Sequence, residues 1–258
     1  MERRSFYART VTQLNLPQQA AILVICGGHL DRDVLLEAGL MNVTISNLDE
    51  RLRGDEFAPF AWSFQDAEAV SFPNDSFDYC IVHAGLHHCA SPHRGLLEMY
   101  RVARKGVLVI EARDSFLMRM GIKLKRVPAY ELHAVRDNSF TWGGVRNSCV
   151  PNYVYRWTER EIEKTIASYA PYSPHRVQFF YGLDVPPVRL PFHSRRGLRW
   201  VSSLVALGIG LIGRILPNQG NQFAFFIAKP ESTSLFPWLK SRTEINKQYG
   251  TTEALGGW

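Results

Sequence analysis

The sequence has no long apolar run. Its most extended apolar stretch, WVSSLVALGIGLI from Trp200 to Ile212, falls short of the roughly 20 residues a helix needs to cross a bilayer. Cysteine is scarce: Cys26, Cys80, Cys89 and Cys149 form no CxxC pair, and three of them sit in or beside apolar runs. That argues against a disulfide scaffold and for reduced thiols in a cytoplasmic setting. The N-terminal stretch MERRSFYARTVTQLNLPQQ lacks the apolar core of a signal peptide, so nothing in it suggests export. Internal repeats and low-complexity segments are missing too. The basic residues form no stripe interleaved with aromatics, which sets nucleic acid aside as a partner.

What is present reads as an ordinary globular protein. The 258 residues are 46% hydrophobic and 21% charged, which excludes disordered and collagen-like chains. The length suits one domain with additions. A net charge of +6 suits an anionic substrate, a membrane surface or a nucleic acid, and selects none of them.

Hydrophobic patterning alternates strands with helices. AILVI, ending at Cys26-Gly27-Gly28, reads as a buried strand entering a tight turn, and Asp31 to Gly39 as a short helix closed by glycine. NVTIS from Asn42 is a second strand. A turn at Pro73-Asn74-Asp75 leads into a strand from Ser76 to His83, and Pro92 to Ala103 has apolar residues at helical spacing with proline at its start. VLVIEA from Val107 is the next strand. Thr158, followed three residues later by Glu161, makes a capping box for the helix TEREIEKTIASYA. Strands at RVQFFYG from Arg176 and QFAFFIAKP from Gln222 complete the series. This alternation specifies an α/β fold, an open and mostly parallel sheet with helices on both faces, whose ligands sit at the carboxyl ends of the strands.

The glycines after the first strand let backbone approach a ligand closely. Asn47 lies 19 residues beyond Gly28, at the end of the second strand, with Asp49 two residues on. Nucleoside sites place a ribose-binding group in that position. The segment FQDAEAVSFPNDSFDYCIVHAGLHHCASPHRGLLEMYRVARKGVLVI, from Phe64 to Ile110, is far more specific. Its DAE, FP turn, SFD strand start, LHH and E-x-x-R-V helix resemble the class I S-adenosylmethionine-dependent methyltransferases, in particular their small-molecule, type 11-like group. The likeness runs without a gap from Asp66 to Glu111, and more weakly from Ala21 to Pro230.

The resemblance implies a Rossmann-like, mostly parallel seven-stranded sheet in a single domain over 20–230. A lid insertion spans 113–156 and a helical insertion 183–220, with an N-terminal segment 1–19 and a C-terminal tail 231–258 outside the domain. It implies S-adenosyl-L-methionine as cofactor, with Gly27 and Gly28 beneath its methionine portion and Cys26 also among the cofactor-binding residues. Asn47 and Leu48 would flank the adenosine, Asp66 would accept from the adenine amino group, Ala67 would supply backbone, and His83 would face cofactor and substrate. Two departures stand out. Leu30 and Val24 occupy places where the family usually has a third glycine and an acidic residue, and Asn47 replaces an acidic ribose ligand. An amide oxygen can still accept from a hydroxyl, and Asp49 is the alternative.

His83, His87, His88, Cys89 and His93 crowd one stretch. LHH recurs in the resembling family without metal, so no metal is expected, and His83 or His87 is the candidate general base. Methyl transfer needs mainly alignment of the reacting atoms. In the lid, Tyr130, Glu131, His133, Asn147, Asn152, Tyr153, Tyr155 and Arg156 offer aromatic faces and hydrogen-bonding groups. Of these, Tyr130, Asn152, Tyr153, Tyr155 and Arg156 are the candidate acceptor-binding residues. The expected acceptor is a small molecule or a glycan. The basic, apolar segment 195–216 offers peripheral membrane contact or close packing, with packing favoured. Lys123, Lys125, Arg126, Arg195, Arg196 and Arg199 all fall in the additions. The competing reading is a non-catalytic binding or scaffold protein of the same fold.

Overall fold

The structure, a computed structural model, describes residues 3–184, 199–231 and 234–250. Parts of the helical insertion, of the basic run ahead of its helix and of the C-terminal tail therefore lie outside the described residues.

The core is a mixed sheet whose strands are β1 (Ile22–Ile25), β2 (Val43–Asn47), β3 (Ala61–Phe64), β4 (Phe77–His83), β5 (Ala103–Arg113), β6 (Arg156–Trp157), β7 (Arg176–Gly182) and β8 (Gln222–Ala228). Their order is β3-β2-β1-β4-β5-β8-β7, with β6 paired to β5 beyond that path. Strands β1 to β5 are mutually parallel, and β8 runs antiparallel between β5 and β7. The sheet is Rossmann-like, with an eighth short strand where seven were expected. The addition has a plain cause: β5 runs on to Arg113, and its end pairs with the two residues of β6.

Period-two burial sends alternate residues of each strand to opposite faces. Leu23, Ile25, Cys80, Val82, Val107 and Val109 meet Leu96, Met99, Ile162 and Ile166 on one face. Those four lie on α3 (Pro92–Val102) and α6 (Glu159–Tyr169). Ile22, Val24, Ile45, Ile81, Leu108 and Ile110 meet Phe6, Tyr7, Val11, Val34 and Leu35 on the other, from α1 (Arg3–Leu14) and α2 (His29–Glu37). Helix α1 falls in the segment read as preceding the domain, yet Phe6, Tyr7 and Val11 are buried in the core. Its charged residues at Arg3, Arg4 and Arg9 mask the buried stripe.

Local signals read from the sequence form the expected caps. Ser91 accepts from the Arg94 amide ahead of Pro92, and Thr158 and Glu161 form a reciprocal box. Gly39, at φ 72°, closes α2 in the left-handed conformation. Within 113–156 the chain forms α4 (Phe116–Lys123) and α5 (Leu132–Arg136). The Val154 amide donates to Ala129 O and the Glu131 amide to Asn152 O, which ties 129–131 to 152–154 as a strap. Helix α7 (Arg199–Ile215) precedes β8.

Trp157 joins the strap to the core. It is fully buried, against Tyr155, His93 and Phe225. Replacing it with alanine removes the largest buried side chain of that face, and Trp157→Ala is expected to cost about 3–5 kcal/mol, read as a lower urea midpoint at unchanged slope.

Candidate functional site

The carboxyl ends of β1, β2 and β4 open into a cavity of about 230 Å³ lined by Cys26, Asn47, Leu48, Asp49, Asp66, Ala67, Glu68, Ala84, Gly85, His88, Cys89 and, from the 113–156 segment read as a lid, Trp142–Gly144, Arg146 and Asn147. A wider outer lobe of about 450 Å³ shares Leu48, Asp49, Trp142, Arg146 and Asn147. Of the candidate cofactor residues, Cys26, Asn47, Leu48, Asp49, Asp66 and Ala67 line the inner cavity, whereas Gly27, Gly28 and His83 do not.

Packing places Gly27 and His83, and a hydrogen bond places Gly28. A Cβ on Gly27 would stand 2.8 Å from both Ile45 and Val24, and its amide donates to Ser46 O at 2.8 Å. Glycine is required there for β1 and β2 to close. At Gly28 a Cβ would meet nothing within 4 Å, and its amide donates to Asp31 Oδ2 at 2.8 Å. His83 stacks on Tyr7 at 4.9 Å between ring centroids, and burial lowers its pKa to about 4. It is a neutral packing group turned to α1, so a base role is left without a geometric path to the cavity.

The backbone around the cavity is held in unusual conformations. Cys26, Ala84, Arg146 and Asn147 all have φ between 50° and 58°, the left-handed region that costs a non-glycine residue energy. Gly85 lets two of these turns meet, since a Cβ there would lie 2.5 Å from Cys26 Cβ.

The polar groups are tied together by charge. Asn47 Nδ2 donates to Gly27 O at 3.0 Å, and its Oδ1 accepts from the Asp49 amide at 3.0 Å. Asn47 thus braces the two loops. Asp49 turns to Arg51, whose hydrogen bonds hold the carboxyl below the usual range. The Arg51 guanidinium lies 3.0 Å from the centroid of the Trp142 ring. Arg146 reaches across from the lid to Asp66 Oδ2 at 2.7 Å and Glu68 Oε2 at 3.4 Å. Glu68 is the buried end of the DAE motif and accepts the Ala90 and Ser91 amides at 2.8 and 2.9 Å, fixing the start of α3. The E-x-x-R-V motif is structural as well. Glu98 accepts the Val70 amide, and Arg101 donates to the Val70 and Phe72 carbonyls.

A second cluster lies beside the cavity. Glu111, buried at the end of β5, accepts from the Leu86 amide at 2.7 Å and meets His87 Nδ1 at 2.7 Å. Glu131 comes in from the lid to within 3.3 Å of His87 Nε2 and 3.4 Å of His88 Nε2. Burial alone would depress His87, but the two carboxylates outweigh it and raise its pKa to about 10. The hydrogen bond from His87 holds Glu131 at about 2. At neutral pH His87 carries its proton, which removes it as a free base.

The acceptor candidates separate into two groups. Asn152 is buried and donates to Glu131 at 3.2 Å. Tyr155 donates to Glu161, and Arg156 donates to the Val154 and Pro128 carbonyls. These three hold the strap together. Tyr130 and Tyr153 are exposed, in edge-to-face contact at 5.5 Å, and remain the aromatic faces open to a ligand. Arg146, Trp142 and Glu111 escaped sequence reading. Glu111 carried a signal, a carboxylate inside an apolar strand run.

A family profile described as a methyltransferase domain matches residues 25–110. Among solved structures, a methyltransferase from Thermotoga maritima, described as S-adenosylmethionine-dependent and a possible histamine N-methyltransferase, is similar at 14% identity and a TM-score of 0.50, over 88% of this chain and 92% of that one. An S-adenosylmethionine-dependent methyltransferase from Archaeoglobus fulgidus matches at 13% identity and 0.51, over 88% and 94%. The YcgJ protein of Bacillus subtilis matches at 12% and 0.52, over 89% and 98%. No protein of curated function matches the sequence significantly.

Asp31 gives the site a pH signature. Burial lifts its pKa to about 6 against the hydrogen bond from Gly28, with the Tyr7 hydroxyl alongside. The folded state therefore keeps a proton that the unfolded chain has released between pH 3.8 and about 6. Stability from this group is full below that window and falls as pH rises through it. Urea titrations of wild type and Asp31→Asn are expected to differ progressively across the window, by roughly 3 kcal/mol in total, with the wild type losing ground as pH rises. A constant difference would contradict the assignment.

Proposed function

We propose that the chain is a class I S-adenosylmethionine-dependent methyltransferase, as the methyltransferase-domain profile over residues 25–110 and the fold support, and that it moves a methyl group to an oxygen, nitrogen or carbon atom of a small-molecule or glycan-type acceptor. The observation that carries the reading is the cavity at the strand ends, where family pattern and carboxylates coincide. Its donor set fits the cofactor: Asp49 and Asp66 are acceptors for ribose hydroxyls and an adenine amine, beside the Ala67 backbone. When bound, S-adenosylmethionine supplies an electrophilic methyl group on a sulfonium.

The residues of the chain have the remaining work. Ligand cavities usually run from about 300 Å³ upward, and the inner cavity at about 230 Å³ is narrowed by the Arg146 side chain on Asp66. Binding thus requires Arg146 to give up Asp66. Trp142 and Asn147 then stay as the wall that excludes water, and the strap bearing Tyr130 and Tyr153 offers the acceptor aromatic faces. Alignment in a closed site supplies much of the rate of such a displacement, so no resident base is needed, in keeping with the neutral buried His83 and the protonated His87.

A lipid surface is the favoured source of the acceptor. Among described residues no helix is long and apolar enough to span a membrane. Yet α7 exposes Trp200, Leu204, Leu207, Leu211 and Ile215, α4 exposes Phe116 and Leu117, and Leu124 just after it is exposed as well. The two meet through Gln219, which follows α7. Lys123, Lys125, Arg126 and Arg214 stand among these apolar residues, the composition of an interfacial, anion-seeking surface. Arg195 and Arg196 lie outside the described residues. Sedimentation with phosphatidylserine vesicles is expected for the wild type and lost in Leu207→Asp/Leu211→Asp. Wild type that stays in the supernatant would sink the membrane contact.

Calorimetry with S-adenosylhomocysteine tests the cofactor site. Asp66→Ala is expected to weaken binding at least tenfold. Arg146→Ala is expected to tighten it by freeing Asp66. A folded wild type without binding would favour the non-catalytic scaffold reading instead.

A further inference from the structure

The cluster beside the cavity has the composition and spacing of a metal centre. His87 Nε2 and His88 Nε2 both approach one oxygen of Glu131, at 3.3 and 3.4 Å. As charge-assisted hydrogen bonds these contacts are long, against a usual length of about 2.7–2.9 Å. By contrast, donors about 2.0–2.1 Å from a tetrahedral zinc ion stand ~3.3 Å from one another. The ligand atoms of these three residues all lie within 4.8 Å of one another. We propose that His87, His88 and Glu131 form a binding site for one zinc-type divalent cation, which takes the place of the proton that His87 Nε2 carries in the metal-free chain and releases it to solvent.

Three further features support the site. His87 Nδ1 rests on Glu111 Oε2 at 2.7 Å, the carboxylate partner that orients a metal-binding imidazole and strengthens it as a donor. Glu111 is itself anchored by the Leu86 amide, so the orientation is set by the sheet. The side chains of His87, Glu131 and His88 are 9%, 16% and 31% exposed, which leaves a route for the ion and an open coordination position. Three protein ligands with one open position is the arrangement of reactive zinc sites, and two histidines with one glutamate is among the donor sets they use.

The site also has a structural consequence. His87 and His88 belong to the turn after β4, whereas Glu131 belongs to the lid strap, so a bound cation fastens the strap to the sheet. His88 lines the cofactor cavity as well, which puts the open position beside the acceptor space. There a cation would take an oxygen or carboxylate of the acceptor. This last point alone rests on the methyltransferase reading, while metal binding stands without it.

Zinc titration of chelator-treated protein, followed by calorimetry and by metal content after gel filtration, provides the test. One equivalent is expected to bind the wild type. Glu131→Gln and His88→Gln are each expected to weaken binding at least tenfold; the metal-free His88→Gln protein is expected to keep the wild-type melting temperature, whereas Glu131→Gln, which removes the partner of His87, is expected to lower it. Cys89→Ser and His133→Gln are expected to bind as wild type does. Cobalt(II) substitution is expected to give the visible spectrum of a nitrogen and oxygen site without thiolate charge-transfer bands. Lack of stoichiometric zinc in the wild type would overturn the proposal, as would undiminished binding in Glu131→Gln/His88→Gln, loss of binding in Cys89→Ser, or thiolate bands in the cobalt protein. None of these readouts depends on methyl transfer, so absence of cofactor binding would leave the metal result interpretable.

Discussion

Glu111 is a carboxylate buried at the end of a parallel strand, and the site is arranged around it. A carboxylate in such a place must be compensated by donors or neutralised. Here the Leu86 amide and His87 provide the compensation, which pins the turn after β4 to the end of β5. That turn carries His88 and Cys89 into the cavity wall. His87 in turn draws Glu131 and the lid strap inward. One buried charge thereby links sheet, cavity and lid.

The same economy governs the opposite wall. Asp49, Asp66 and Glu68 bring negative charge to the strand ends, and the lid answers with Arg146, while Trp142 lies on Arg51. At the mouth these contacts are ionic and cation–π, the kind that a ligand with its own polar groups can replace. The close packing sits farther back, around Trp157, where the strap must not move.

Strands β1, β2, β4, β5, β7 and β8 were legible in the sequence, because branched apolar runs bounded by turn residues carry a strong signal. The same holds for α2, α3 and α6, which have recognisable caps or glycine stops. Strand β3 was not. Ala61–Phe64 is a partly exposed edge strand with an exposed residue at each end, so it lacks both an apolar run and regular alternation. Helix α1 hid its buried stripe among arginines. At the site, Asn47, Leu48, Asp49, Asp66 and Ala67 could be placed at the cavity from spacing and resemblance. Their partners could not, since Arg146 lies 80 residues from Asp66 in sequence, and only the fold brings the two together. The histidines show the same limit. Their spacing is visible in the sequence, but whether one is packed on Tyr7 or held between two carboxylates is decided by α1, β5 and the lid.

The account stands on the cavity beneath the lid being the cofactor site, and a crystal structure with S-adenosylhomocysteine tests that most directly. The account predicts adenosine density between Asn47–Asp49 and Asp66–Ala67, with the Arg146 side chain withdrawn from Asp66. Density elsewhere on the chain, or adenosine bound while Arg146 still holds Asp66, would contradict it.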